Sequence, residues 1–144
     1  MVNYVSTSKE NAMRNILSSP IGLDEIHQSF DHTPIDHFYM LKQFVEQQTM
    51  DCLITHTWEI GLMVKFDWPQ WEEGGQFYGK DEWNFSDKDL VFCYKFLTAV
   101  IRNGRFTQGA LEHILETGKM IGLIDRLIEL KLKYPGKQNE YNSI

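Results

Sequence analysis

Apolar residues recur along this chain at the three-to-four-residue spacing of helix faces, broken by caps, prolines and glycines. Thr7 and Glu10 form a capping-box pair, and Ala12, Met13, Ile16 and Leu17 supply an apolar face until Pro20 ends it. Thr33-Pro34 with Asp36 marks a second start, because threonine caps, proline suits the first turn and an acid there complements the helix dipole. Phe38, Leu41, Phe44 and Val45 then share one side. The stretch from Met50 to Val64 mixes signals. Leu53, Ile54, Thr55 and Thr57 have strand character, whereas Cys52, His56, Glu59 and Ile60 fit as helical neighbours, and helix is favoured. Asp67 can cap a short helix carrying Trp68, Pro69 and Trp71, which Gly74-Gly75 closes into a loop past Tyr78 and Gly79.

The most informative segment follows. Ser86 and Asp89 form a second capping box, opening a helix that the spacing carries to Gly104. Leu90, Val91, Phe92, Cys93, Tyr94, Phe96, Leu97, Ala99, Val100 and Ile101 cover nearly its whole circumference, and a helix apolar all round belongs in the middle of a core. Its polar remainder, Lys88, Lys95 and Arg102, recurs every seven residues and drifts only ~20° per step, leaving one basic stripe as the solvent window. Thr107 can cap a short helix with Leu111, Ile114 and Leu115 inward, stopped by Gly118. In the last helix, from Lys119 to Lys133, the residues Met120, Ile121, Leu123, Ile124, Leu127, Ile128 and Leu130 make a face wider than one groove needs, so part of it can pair with another subunit. The prediction is an all-α fold, a compact bundle of about five to seven short helices around a buried central one. Residues 1–134 form a single domain and Pro135 to Ile144 a flexible tail.

At 144 residues the chain is long enough to bury a core without disulfides or metals. Its net charge of −6 repels polyphosphate and argues against nucleic acid as a partner. No apolar stretch approaches the ~18 residues a membrane helix needs, so a cytoplasmic location without a membrane partner is expected. Cys52 and Cys93 lack framework spacing and read as buried reduced thiols.

Chemistry-bearing residues are sparse. No glycine-rich phosphate loop, serine elbow or Cys-x-x-Cys pair occurs, so no catalytic residue and no cofactor is assigned, and an enzyme is not the favoured reading. His27, His32 and His37 recur every five residues and diverge by ~140° around a helix, while Cys52 and His56 lack further ligands nearby, so no metal is assigned. The glycine between Ile114 and Ile124 gives a superficial helix-turn-helix, whose second helix offers Met120, Ile121, Leu123 and Asp125 where base reading needs Arg, Asn or Gln. Two constellations remain. Trp68 and Trp71, three apart on one helix face, serve either as an aromatic plug in the core or as a pocket wall or interface anchor. Arg102 and Arg105, beside Phe106, either complement the helix's negative end or form a fork for a carboxylate or phosphate, extended by Lys95.

The strings Phe66-Asp67-Trp68-x-x-Trp71-x-x-Gly74 and Leu97-Thr98-x-x-Ile101-Arg102-x-x-Arg105-Phe106-x-x-Gly109-x-Leu111, with Gly118 before the last helix, resemble a small bacterial family of unknown function. The resemblance spans the second half of the chain, and members often carry an acid where Gly104 stands here. It implies a stand-alone domain in a bacterial or phage setting and carries no activity. Three readings of function follow. The first is an interaction protein, a homodimer, using the surface around Trp68 and Trp71 or the spare face of the last helix. The second is a small-molecule module or cryptic enzyme in which Arg102 and Arg105 hold an anion beside Trp68, Trp71 and Phe106. The third is an acidic inhibitor from a phage or mobile element that covers a basic host surface.

Overall fold

The computed structural model describes residues 19–135, and these form an all-α fold. Its helices are α1 (Ile26–His32), α2 (Ile35–Glu46), α3 (Met50–Glu59), α4 (Glu72–Tyr78), α5 (Leu90–Phe106), α6 (Ala110–Thr117) and α7 (Ile121–Lys133). Two 3-10 turns, Leu23–Glu25 and Trp68–Gln70, precede α1 and α4. The helix expected between Thr7 and Pro20 and the tail beyond Pro135 lie outside the described residues.

The central helix is where the pattern places it. Cys93, Tyr94, Phe96, Leu97, Val100 and Ile101 of α5 are fully shielded from solvent, and α1, α4, α6 and α7 all pack on it. Its boundaries differ from the prediction. Asp89, not Ser86, is the cap, its carboxylate accepting from the Phe92 amide at 2.8 Å. Lys88 therefore lies outside the helix. At the other end α5 runs through Gly104 to Phe106. Gly104 is a contact residue instead of a stop, since a Cβ there would meet Leu111 Cβ at 2.9 Å where α6 crosses. Thr107 consequently closes α5, its amide donating to Asn103, and Gly109, at φ +81°, opens α6. Gly118, at φ +74°, is the left-handed stop that was expected.

The Met50 to Val64 stretch divides. Helix α3 ends at Glu59, Gly61 with a φ of +78° turns the chain, and Leu62, Met63 and Val64 then run buried. Ile21 bridges this segment, its amide donating to Met63 O at 2.8 Å and its carbonyl accepting from Lys65 N at 2.7 Å. Polar groups on α5 hold it in place. Thr98 Oγ1 accepts the Val64 amide at 2.9 Å, and Tyr94 Oη meets Ser29 Oγ at 3.1 Å, from which Ser29 donates to Gly61 O. Thr33 also acts differently from its expected role: its hydroxyl bonds back to Ser29 O at 2.7 Å, leaving Pro34 at the start of α2.

The broad apolar face of α7 is consumed within the chain. Met120, Leu123, Ile124 and Leu127 are fully buried, and α7 packs chiefly along α2, where Lys42 pairs with Asp125 at 2.9 Å. No spare stripe is left for another subunit, only Leu132 and Tyr134 near the end. Lys131 is buried on that same face. Its ammonium donates to Phe30 O at 2.7 Å and sits 4.8 Å from the Phe30 ring, closing the C-terminal end of α1. Burial holds its pKa below the usual lysine value.

Candidate functional site

Pro69 restrains the backbone after Asp67 into one 3-10 turn, and the chain then enters α4 through an extended Trp71. Trp68 and Trp71 therefore do not share a helix face; they diverge. Trp71 swings back over the first turn of α4, so close that a Cβ on Gly74 would lie 2.1 Å from its ring. Its other neighbours are Phe66, Phe92 and Phe96 at 5.6, 5.1 and 6.5 Å between centroids, with Lys95 Nζ 4.4 Å from the ring centre. Trp68 lies on the opposite side of the turn, stacked on Phe106 at 6.1 Å and 28°. Gly74 and Gly75 do not end the helix here but sit inside it.

Between the two tryptophans opens a cleft of about 250 Å³. The Trp68-Pro69 turn and Trp71 form one wall, and Gly74, Gly75 and Tyr78 of α4 another. Phe96, Ala99 and Asn103 of α5 complete it. Asn103 Nδ2 donates to the Tyr78 hydroxyl at 3.2 Å, leaving the phenolic hydrogen for another acceptor. The Trp83 indole N–H donates to Tyr78 O at 3.2 Å and fixes that end of α4. Gly75 is the telling residue. A Cβ there would meet no atom within 4 Å, and its backbone is ordinary helix rather than left-handed.

The charged residues singled out by spacing do not meet. The Arg102 guanidinium lies over Trp58 at 5.1 Å, Lys95 covers Trp71 and Phe66, and Arg105 is exposed in the last turn of α5. None of the three lines the cleft. Phe106 is 75% exposed beside it, and Asp67, Glu72 and Glu73 are exposed along its rim segment.

Two features had no signal in the spacing. His37 Nδ1 and His56 Nε2 approach to 3.1 Å across α2 and α3, and burial, with a smaller contribution from the neighbouring His37, holds the His56 pKa below its usual value. Among the described residues no three His, Cys, Asp or Glu side chains come together as a metal site. The cysteines also part ways: Cys52 is exposed, contrary to expectation, while Cys93 is buried and its thiol pushed up to about 12.

A family model described as a family of unknown function (DUF6508) matches residues 24–132. This chain belongs to that family. The DUF6508 match begins at the turn before α1, so kinship extends well before the second-half motifs that first pointed to such a family. No curated protein and no solved structure matches the chain. Membership in DUF6508 therefore covers α1 through nearly all of α7 and names no activity. Among the described residues, no helix is long and apolar enough to cross a membrane.

Proposed function

We propose that this chain is a cytoplasmic protein-interaction module whose cleft takes one aromatic or branched aliphatic side chain from a partner polypeptide. The observation that carries this reading is Gly75. A glycine inside a helix destabilises by about 0.5–1 kcal/mol relative to alanine, and it persists where backbone strain or close packing demands it. Gly74 has such a reason in the Trp71 ring; Gly75, exposed at the wall of the cleft, has none, and the lack of a side chain there leaves that wall uncovered. Tryptophan walls around a small apolar hole are how interfaces build anchor pockets. No cation lines this one, which favours a neutral occupant over a carboxylate or phosphate. Its volume lies below the ~300 Å³ where small-molecule pockets begin and suits a single side chain. The unpaired thiols of Cys52 and Cys93 fit a reducing compartment.

Titrating the isotope-labelled chain with indole tests the site without knowing the partner. Amide signals of Gly75 and side-chain signals of Asn103 are expected to move in the parent, and the Asn103 signals to stay fixed in Gly75→Leu, whose larger side chain is placed to obstruct the cleft. Indole leaving those signals untouched in the parent at millimolar concentration refutes the proposal.

A further inference from the structure

We infer that the occupant of the cleft is Phe106 from a second copy of this chain, in a two-fold dimer where each copy gives its own ring and receives the partner's. The inference rests on the cleft being a binding site. A two-fold interface uses one self-complementary patch on both subunits. This patch has a knob and a hole side by side, since the 75%-exposed Phe106 stacks on Trp68 and Trp68 walls the cleft. An axis passing beside Trp68 carries each knob into the opposite hole.

Size and charge agree. An apolar cavity of roughly 150 Å³ holds benzene, so a cleft of about 250 Å³ admits a benzyl group. The exposed acids Asp67, Glu72 and Glu73 are next in the chain to the cleft-lining Trp68, Trp71 and Gly74, and the exposed Arg105 is next to Phe106. The two-fold operation brings Arg105 of each copy to the acidic rim of the other, a pairing that fixes register and steers encounter more than it tightens binding. One ring and one cleft per side cover a few hundred Å², below the ~800 Å² per partner of lasting complexes. The dimer is therefore weak and concentration-dependent.

Sedimentation equilibrium up to ~1 mM tests this, with the weight-average mass expected to climb from 16.9 kDa towards twice that value. Phe106→Ala keeps the hole and loses the knob; Gly75→Leu keeps the knob and loses the hole. Each is expected to weaken self-association at least about thirty-fold, the effect of removing a central anchor. Circular dichroism checks that both remain folded, and Gly75→Gln serves as a second hole-filling variant. Labelled Phe106→Ala mixed with unlabelled Gly75→Leu retains one knob and one hole, so its Gly75 and Asn103 signals move on mixing and stay fixed with concentration in Phe106→Ala by itself. A parent chain that stays at 16.9 kDa throughout, or a Phe106→Ala variant that associates like the parent, overturns the exchange. If indole still moves the Gly75 signal in such a monomer, the cleft remains a binding site with another occupant; if it does not, the proposed function falls too.

Discussion

The adjacent glycines of α4 respond in opposite directions to the same methyl group. At Gly74 the new Cβ would lie 2.1, 2.4 and 2.6 Å from three carbons of the Trp71 ring, closer than real Cβ contacts approach. The ring cannot give way cheaply, because Phe66, Phe92 and Phe96 pack around it. Overpacking of this kind costs about 1–3 kcal/mol, which exceeds the helix-propensity gain. At Gly75 the Cβ enters open space on a helical backbone, so Gly75→Ala gains about 0.5–1 kcal/mol from propensity and from a less flexible unfolded chain. For a chain this long 1 kcal/mol shifts Tm by about 4 °C. Calorimetry should therefore place Gly75→Ala roughly 2–4 °C above the parent and Gly74→Ala below it, by up to about 10 °C. Equal shifts for the two variants, of either sign, would show that the Trp71 ring does not rest on Gly74 and that Gly75 does not border an empty space.

Further expectations concern other parts of the fold. The depressed pKa of His56 means that the unfolded chain takes up its proton first as pH falls, so its stabilising contribution is complete above the ordinary value of 6.5 and is lost below it. Urea midpoints should drop between pH 7.5 and 5 in the parent and drop less in His56→Gln. Replacing Lys131 by Met removes the ammonium's bond to the Phe30 carbonyl, which keeps the Thr33 amide at 3.2 Å, and should cost about 0.5–1.5 kcal/mol, read as an earlier urea midpoint at unchanged slope. A thiol reagent at pH 8 should titrate Cys52 at once and Cys93 only after denaturation, since burial holds the Cys93 thiol near 12. Two fast thiols in the folded protein would contradict its placement in the core.

Local pattern is enough to read a helical protein here and to find the helix at its centre, because periodicity and side-chain type are local properties that survive whatever the neighbours do. The stretch from Leu90 to Ile101 is apolar on every side, and no arrangement leaves such a helix outside. Exact caps were less legible. Ser86 and Asp89 both satisfy the chemistry of a helix start, and Thr33 and Thr107 each had a second partner within reach, so the choice fell to contacts with other segments. Gly104 and Gly74 look like helix stops in a linear reading. Their reason is the proximity of Leu111 and of the Trp71 ring, and among the described glycines only Gly109, Gly118 and Gly61 use a left-handed backbone.

Tertiary structure alone decided the site. Trp68 and Trp71 looked like one face because spacing assumes an unbroken helix, and Pro69 breaks it, so that half-buried Trp71 packs against the core while half-buried Trp68 stacks on Phe106. The arginine fork needed two long side chains to point the same way; Arg102 instead found Trp58, a residue 44 positions earlier that no local pattern connects to it. Lys131 reaches Phe30 across 101 positions, and His37 meets His56 across two helices, for the same reason. Distances between side chains far apart in the chain follow from how helices cross, and crossing is set by the packing of the whole set of apolar faces at once. The cleft itself is bounded by the Trp68-Pro69 turn, α4 and α5, segments that only the packing brings together.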